Sequence, residues 1–168
     1  NIDTVSPYTF ASIHSIMTGT YPSNHGVDAY YNILKFKKNE ITTLAEILKE
    51  KKFYTVCDVN NEAILSKKGF DEYNVYDERQ IDFIKRHCDI IEKISEKHFF
   101  LFLQNTETHN NYVRNIIENE EENDDYFNSI KENTTKYESH LSDTENYIKN
   151  ILHTLERLDL SDKTILIF

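Results

Sequence analysis

Phe99-Phe100-Leu101-Phe102-Leu103 is the stretch on which the fold turns. Five consecutive apolar residues leave no polar face, and five is too short for a buried helix. Such a run predicts a strand covered on both faces, as in the parallel sheets of α/β proteins. Just upstream, Ile84, Cys88, Ile91 and Ile94 recur at helical spacing within residues 81–97. A second strand is expected over Phe53–Val59, preceded by a helix that Thr42 or Thr43 can cap and whose stripe is Leu44, Ile47 and Leu48. Phe10, Ile13, Ile16 and Met17 form an earlier helical face, with Gly19 as its stop. A short helix is predicted around Glu62–Lys67, ended by Gly69. Downstream, residues 142–158 read as an amphipathic helix with Tyr147, Ile148, Ile151, Leu152 and Leu155 inward, and Thr164-Ile165-Leu166-Ile167-Phe168 predicts a further buried strand. Helix alternating with strand implies an α/β sandwich with a largely parallel sheet.

Composition narrows the function classes. The 168 residues suit one domain, and 21 aromatics (11 Tyr, 10 Phe) argue that most of the chain folds. Acidic residues outnumber basic ones 29 to 19, for a net charge of -10. That field repels phosphate backbones, and no basic patch exceeds Lys35–Lys38, so no nucleic-acid partner is expected. Apolar runs fall far below the roughly 20 residues of a membrane span. With no signal peptide either, a cytoplasmic setting is marginally preferred. Cys57 and Cys88 belong to no ligand cluster and read as buried free thiols. Residues 119–125 are acidic and Asn-rich, and about 113–133 read as a polar insertion or exposed loop. The chain opens without Met and closes inside a strand-like run, so a piece of a longer protein is expected. Nothing in the sequence fixes its oligomeric state.

Open α/β sheets place their sites at the carboxyl ends of strands and at helix N-termini. Ser6-Pro7-Tyr8-Thr9 opens the first helix, where a hydroxyl meets free backbone N–H groups and the positive end of the dipole. That suits an anionic ester, although Thr9 as a plain N-cap accounts for the same position. Residues 104–112 follow the core strand and carry His109 among polar neighbours; a lone loop histidine is also often incidental.

Thr9-Phe10-Ala11-Ser12-Ile13-His14-Ser15-Ile16-Met17-Thr18-Gly19-Thr20-Tyr21-Pro22-Ser23-Asn24-His25-Gly26-Val27 resembles the nucleophile region of the sulfatases, within the alkaline phosphatase superfamily. There a nucleophile at a helix start precedes a "TG-x-YP-x-x-HGV" stretch. Thr43-Leu44-Ala45-Glu46-Ile47-Leu48-Lys49 is similar to the family's "TLAE-x-LK" helix, and Lys68-Gly69-Phe70-Asp71-Glu72-Tyr73 to its "GFDE" turn. Phe99–Leu103 with Thr108-His109 resembles "FFLFL…PH-x-PY", and Asp143–Phe168 resembles a late helix and strand. The segments keep the family's order and span nearly the whole chain except about residues 113–133.

The resemblance implies a three-layer, alkaline-phosphatase-like sandwich, incomplete at both ends, of which residues 1–168 are part of one domain. It implies a metal-dependent hydrolase or phosphotransferase acting on a small phosphate or sulfate ester. Thr9 falls at the nucleophile position and is also the implied metal contact; His109 is the implied substrate or leaving-group contact. The divalent metal (Mn, Zn or Ca/Mg) would take its other ligands outside this sequence, and the isolated chain is expected to be inactive. No formylglycine is expected, because a Thr β-carbon carries a methyl group. Ala11 and Ile13 replace the Pro and Arg of the sulfatase signature, and Asp58-Val59-Asn60-Asn61 stands where "GKWH" would follow the next strand. These departures favour phosphoester chemistry or the alternative of a non-catalytic sulfatase-like module. Thr9 and His109 are expected near one another at the sheet's carboxyl edge.

Overall fold

The computed structural model describes residues 3–79, 81–111, 113, 134–135, 138–139 and 141–168. Helix α1 spans Thr9–Thr18 and ends where Gly19 turns left-handed (φ 65°), its N–H reaching the Ser15 carbonyl at 2.8 Å. A single turn, α2 (Pro22–His25), follows with proline in its first turn, and a 3-10 turn covers Tyr30–Asn32. Helix α3 (Leu44–Glu50) begins with a reciprocal capping box. Thr43 Oγ1 accepts from Glu46 N at 3.2 Å, and the Glu46 carboxylate accepts from Thr43 N at 2.9 Å.

Strands β1 (Tyr54–Val59), β2 (Glu72–Val75) and β3 (Phe99–Leu103) form one parallel sheet in the order β2-β1-β3. Val56 pairs with Glu72 on one side of β1 and with Leu101 on the other. Between β2 and β3 lies α4 (Phe83–Ile94), whose N-cap Asp82 accepts from Lys85 N at 2.9 Å. After β3 come helical residues 107–111, then α5 (Leu141–Arg157) and a 3-10 turn at Ser161–Lys163. The α/β class and the parallel sheet expected from the sequence are therefore what the chain adopts.

The chain divides into two compact units. The first, Asn1–Arg79 with Glu96–Gln104, holds α1 to α3 and the whole sheet. Its core is Met17, Ala45, Cys57, Val59, Ile64 and Leu65, flanked by Phe10, Ile13, Phe70, Tyr73, Phe100 and Phe102. Cys57 is a buried free thiol, as anticipated, and burial drives its pKa upward; Cys88 is free and half-buried. The second unit, Gln80–Ser95 with Asn105–Phe168, packs α4 on α5. Phe83, Ile91, Ile94, Tyr147, Ile151 and Leu155 are buried there, and His87 Nδ1 lies 2.7 Å from the Tyr147 hydroxyl.

Three expectations change, and one strand, β2, was not expected. Residues 62–67 form turns, not a helix. Asn61 Oδ1 accepts from Ala63 N at 2.8 Å and Ser66 Oγ from Lys68 N at 3.3 Å, so side chains take up backbone groups that a helix would have used. Ile64 and Leu65 still reach the core. The turn after Gly69 runs straight into β2, too short and too polar to stand out by pattern. Strand β3 is half-buried along its length, because among the described residues it is paired on one side only. The run 164–168 joins no ladder among the described residues, leaving Ile165 91% and Ile167 89% exposed. Apolar β-branched sequence declares a capacity for pairing and does not name a partner. The acidic stretch 119–125 and the rest of 114–133 lie outside the described residues.

Asp71 ties the start of β2 to β1. Its Oδ2 accepts from Thr55 N at 3.0 Å and Thr55 Oγ1 at 2.9 Å, and Lys49 Nζ sits 2.6 Å from Oδ1. Lys49 and the Thr55 donors hold its carboxyl below the usual range. Asp71→Asn should cost about 1.5–3 kcal/mol at pH 7, the worth of hydrogen bonds to a charged group. A folded-state pKa below the unfolded one gives stability that is complete above about pH 4 and fades as pH falls through the folded value. Urea melts at pH 7 and pH 3 should therefore show the wild-type advantage shrinking in acid.

Candidate active site

The first turn of α1 carries Thr9 as its first helical residue, with Tyr8 as the extended N-cap (φ -136°, ψ 151°). Tyr8 offers no side-chain cap, and the first helical bond runs from Ser12 N to the Tyr8 carbonyl at 3.2 Å. The N–H groups of Thr9, Phe10 and Ala11 thus lack helical acceptors, which favours an anion beside them. The approach to the helix is braced: Ser12 Oγ and Thr4 Oγ1 each donate to the Ser6 carbonyl at 2.8 Å, and the two hydroxyls lie 3.0 Å apart. Thr9 itself is exposed, and among the described residues its hydroxyl has no hydrogen-bond partner. The plain N-cap role considered for Thr9 belongs to Tyr8.

Further along, the segment after α1 is shaped by close packing. Gly26 has φ 90°, and a Cβ there would stand 2.5 Å from the Lys35 carbonyl oxygen. His25 and Val27 on either side are both fully buried. The "HGV" run is therefore a packing corner behind α1. Ala11, at the Pro position of the sulfatase signature, is fully buried, and Ile13, at the Arg position, packs against the core.

At the carboxyl edge of the sheet the structure joins Asn60 and Gln104, which the sequence had placed in separate segments, with Tyr76 and Glu78, which it had not singled out. Asn60, following β1, donates its backbone N–H to Gln104 Oε1 at 3.1 Å and its side-chain amide to Glu78 Oε2 at 2.8 Å. The Tyr76 hydroxyl donates to the Gln104 carbonyl at 2.5 Å. Among the described residues, Asn60 Oδ1 is buried with no hydrogen-bond partner. The available signal was positional: each residue directly follows a parallel strand or nearly so.

His109 lies in the second unit, exposed on helical residues 107–111 instead of in a loop. Asn105 Oδ1 accepts from Glu107 N at 2.8 Å and the Thr106 carbonyl from Asn110 N at 2.8 Å, closing the turn. Thr108 and Thr144 share a hydroxyl hydrogen bond across to α5. Glu107, half-buried there, has its pKa raised by burial and then by Asp143. Thr9 belongs to the first unit, so each candidate residue stands in its own structural setting.

Among the described residues, no three His, Cys, Asp or Glu side chains converge to hold an ion, and Thr9 alone would be a single weak ligand. The described residues therefore do not fit a divalent metal by themselves. No described helix is long and apolar enough to cross a membrane.

The open parallel sheet, flanked by helices and carrying a hydroxyl at a helix start, puts the chain in the α/β class that hosts many ester-processing sites at such edges. Residues 3–168 match the family model described as Sulfatase, through both units, and the chain belongs to the sulfatase family. That makes it sulfatase-like and hydrolase-like; the family acts on sulfate esters and is generally metal-dependent. No curated protein matches the chain.

Proposed function

We propose that the chain contributes the nucleophile region of a sulfatase-like hydrolase or phosphotransferase, with Thr9 as nucleophile and a small anionic ester as substrate. The observation that carries this reading is the exposed Thr9 hydroxyl at the start of α1, beside three backbone N–H groups without helical acceptors. The Thr9 oxygen attacks phosphorus or sulfur, and the ester oxygen departs as the leaving group with its bonding pair. The hydroxyl proton leaves to solvent or a base, and the amides at the helix start favour the charge on the non-bridging oxygens. His109 serves as the contact to substrate or leaving group. Ala11 and Ile13, packed where the sulfatase signature has Pro and Arg, favour phosphate over sulfate esters. A divalent metal, Mn, Zn or Ca/Mg, is the cofactor the family implies, and its further ligands would come from residues other than those described. The same two substitutions support a second reading, a non-catalytic module that keeps the fold for binding.

Aryl phosphodiester and aryl sulfate assays separate these readings. The 168-residue chain given Mn²⁺, Zn²⁺, Ca²⁺ or Mg²⁺ is expected to turn over neither substrate. Within the longer protein that the resemblance implies, the phosphodiester is expected to react faster, and acid quenching should leave a phosphoryl adduct on Thr9 detectable by mass spectrometry. Metal-dependent turnover by the isolated chain would relocate the metal site; no turnover in either form would favour the binding module.

A further inference from the structure

Two buried imidazoles face each other where α1 meets α2. His14 retains 2% of its surface and His25 none, with ring centroids 5.8 Å apart. Their hydrogen bonds fix the tautomers. His25 Nδ1 accepts from Val27 N–H at 3.2 Å, so its proton sits on Nε2, 3.0 Å from Ser15 Oγ. His14 Nδ1 lies 2.7 Å from the Phe10 carbonyl oxygen, which only accepts, so that nitrogen carries the proton. The His14 ring also packs on Phe36, centroids 4.9 Å apart. His25 is thus built in as a neutral group, and burial favours the same form of His14.

A second proton conflicts with this arrangement in two ways. On His25 it would turn Nδ1 into a donor pointing at the Val27 N–H, leaving two donors opposed. On His14 it would set a charge in a buried site next to the other imidazole. Burial pulls the pKa of each ring down, and for His25 the neighbouring His14 and, more weakly, Lys37 act in the same direction. The Ala11 carbonyl and Asp28 act against that on His25, and the Phe10 carbonyl does so on His14.

We propose that His14 and His25 form a proton-sensitive latch that holds the α1–α2 corner closed at neutral pH and releases it in acid. The latch stands on this geometry alone; only its consequence, displacement of the Thr9 helix start from its working position, rests on the nucleophile reading. An open corner binds protons at the ordinary histidine value of about 6.5, whereas the closed corner resists them. Closure is therefore complete above about pH 6.5 and weakens as pH falls through that value toward the folded-state values. Each ring contributes up to about tenfold in open population per pH unit, so the pair contributes up to about 100-fold.

The test uses the 168-residue chain. Imidazole NMR follows the two rings while amide exchange, corrected for its intrinsic pH dependence, follows α1, α2 and the amides of β1. Both rings should stay neutral below pH 6.5, and amides of α1 and α2 should open in acid ahead of those of β1. The double variant His14→Asn with His25→Gln, which keeps one donor at each position without a titrating ring, should lose that early opening. Ring titration at or above 6.5 would overturn the latch, and so would opening of α1 no earlier than β1 or an unchanged acid response in the double variant. If the double variant does not fold, the wild-type titrations and exchange decide the matter. None of these readouts involves Thr9, so the latch and the nucleophile reading fail separately.

Discussion

Gly69→Ala is expected to remove more than about 4 kcal/mol from the first unit, at the far end of single-residue effects. Gly69 holds φ 90°, a region strained for any L side chain, but the larger cause is contact. An added Cβ would lie 2.3 Å from Glu46 N and 2.7 Å from the Ala45 carbonyl carbon, both backbone atoms of the α3 first turn. Neither can rotate aside as a side chain would. Moving α3 away would break the bond from Thr43 Oγ1 to the Lys68 carbonyl (3.1 Å) and the Lys68–Glu46 ion pair (3.0 Å). It would also expose Ala45 in the core. Gly19→Ala is the control: φ is 65° there, but nothing among the described residues lies within 4 Å of an added Cβ. That change should cost only about 1 kcal/mol, the ordinary penalty of a left-handed non-glycine residue. Urea midpoints of the two variants, measured side by side, check the contrast.

Thr9→Ala is expected to lower phosphoester turnover by roughly 10³-fold or more in the longer protein, the scale of losing a nucleophile. Stability should move by less than about 0.5 kcal/mol, because an exposed residue outside any special contact is replaced. Tyr8 occupies the N-cap position, the Thr4–Ser12–Ser6 brace holds the approach to the helix, and the Thr9 hydroxyl belongs to neither. Equal melting temperatures with lost turnover would assign the hydroxyl to chemistry. Retained turnover would reject Thr9 as nucleophile, and a large stability loss would give it a structural role that its surroundings do not suggest.

The elements legible in the sequence were those whose own residues determine them. The helix with the Leu44, Ile47 and Leu48 stripe starts at one of the two threonines expected to cap it, and the structure selects Thr43 through its capping box with Glu46. Strands β1 and β3 begin and end within a residue of the apolar runs that announced them. Residues 62–67 misled because six residues with three apolar members fit a helix as well as a chain of turns, and side-chain bonds to Asn61 and Ser66 chose the turns. Residues 164–168 misled because pairing depends on a neighbour that sequence pattern does not supply. For the site, the motif located Thr9 at the true start of α1. It could not reveal that His25 and Gly26 serve packing, since crowding by Lys35 is a three-dimensional fact. Nor could it join Asn60 to Gln104, which parallel registry brings together across β1 and β3.

Strand order also shapes how the sheet assembles in time. Pairing β1 with β2 brings Val56 to Glu72, a separation of 16 residues, whereas pairing β1 with β3 brings Tyr54 to Phe99, a separation of 45. Loop-closure entropy makes the second pairing dearer by roughly 0.9 kcal/mol before any contact repays it. The intervening chain must also travel out through Phe83–Ile94, a segment that belongs to the second unit, and return. The β1–β2 ladder with α3 is thus the natural nucleus, and β3 docks late. Mutations in β3 should accordingly speed unfolding more than they slow folding.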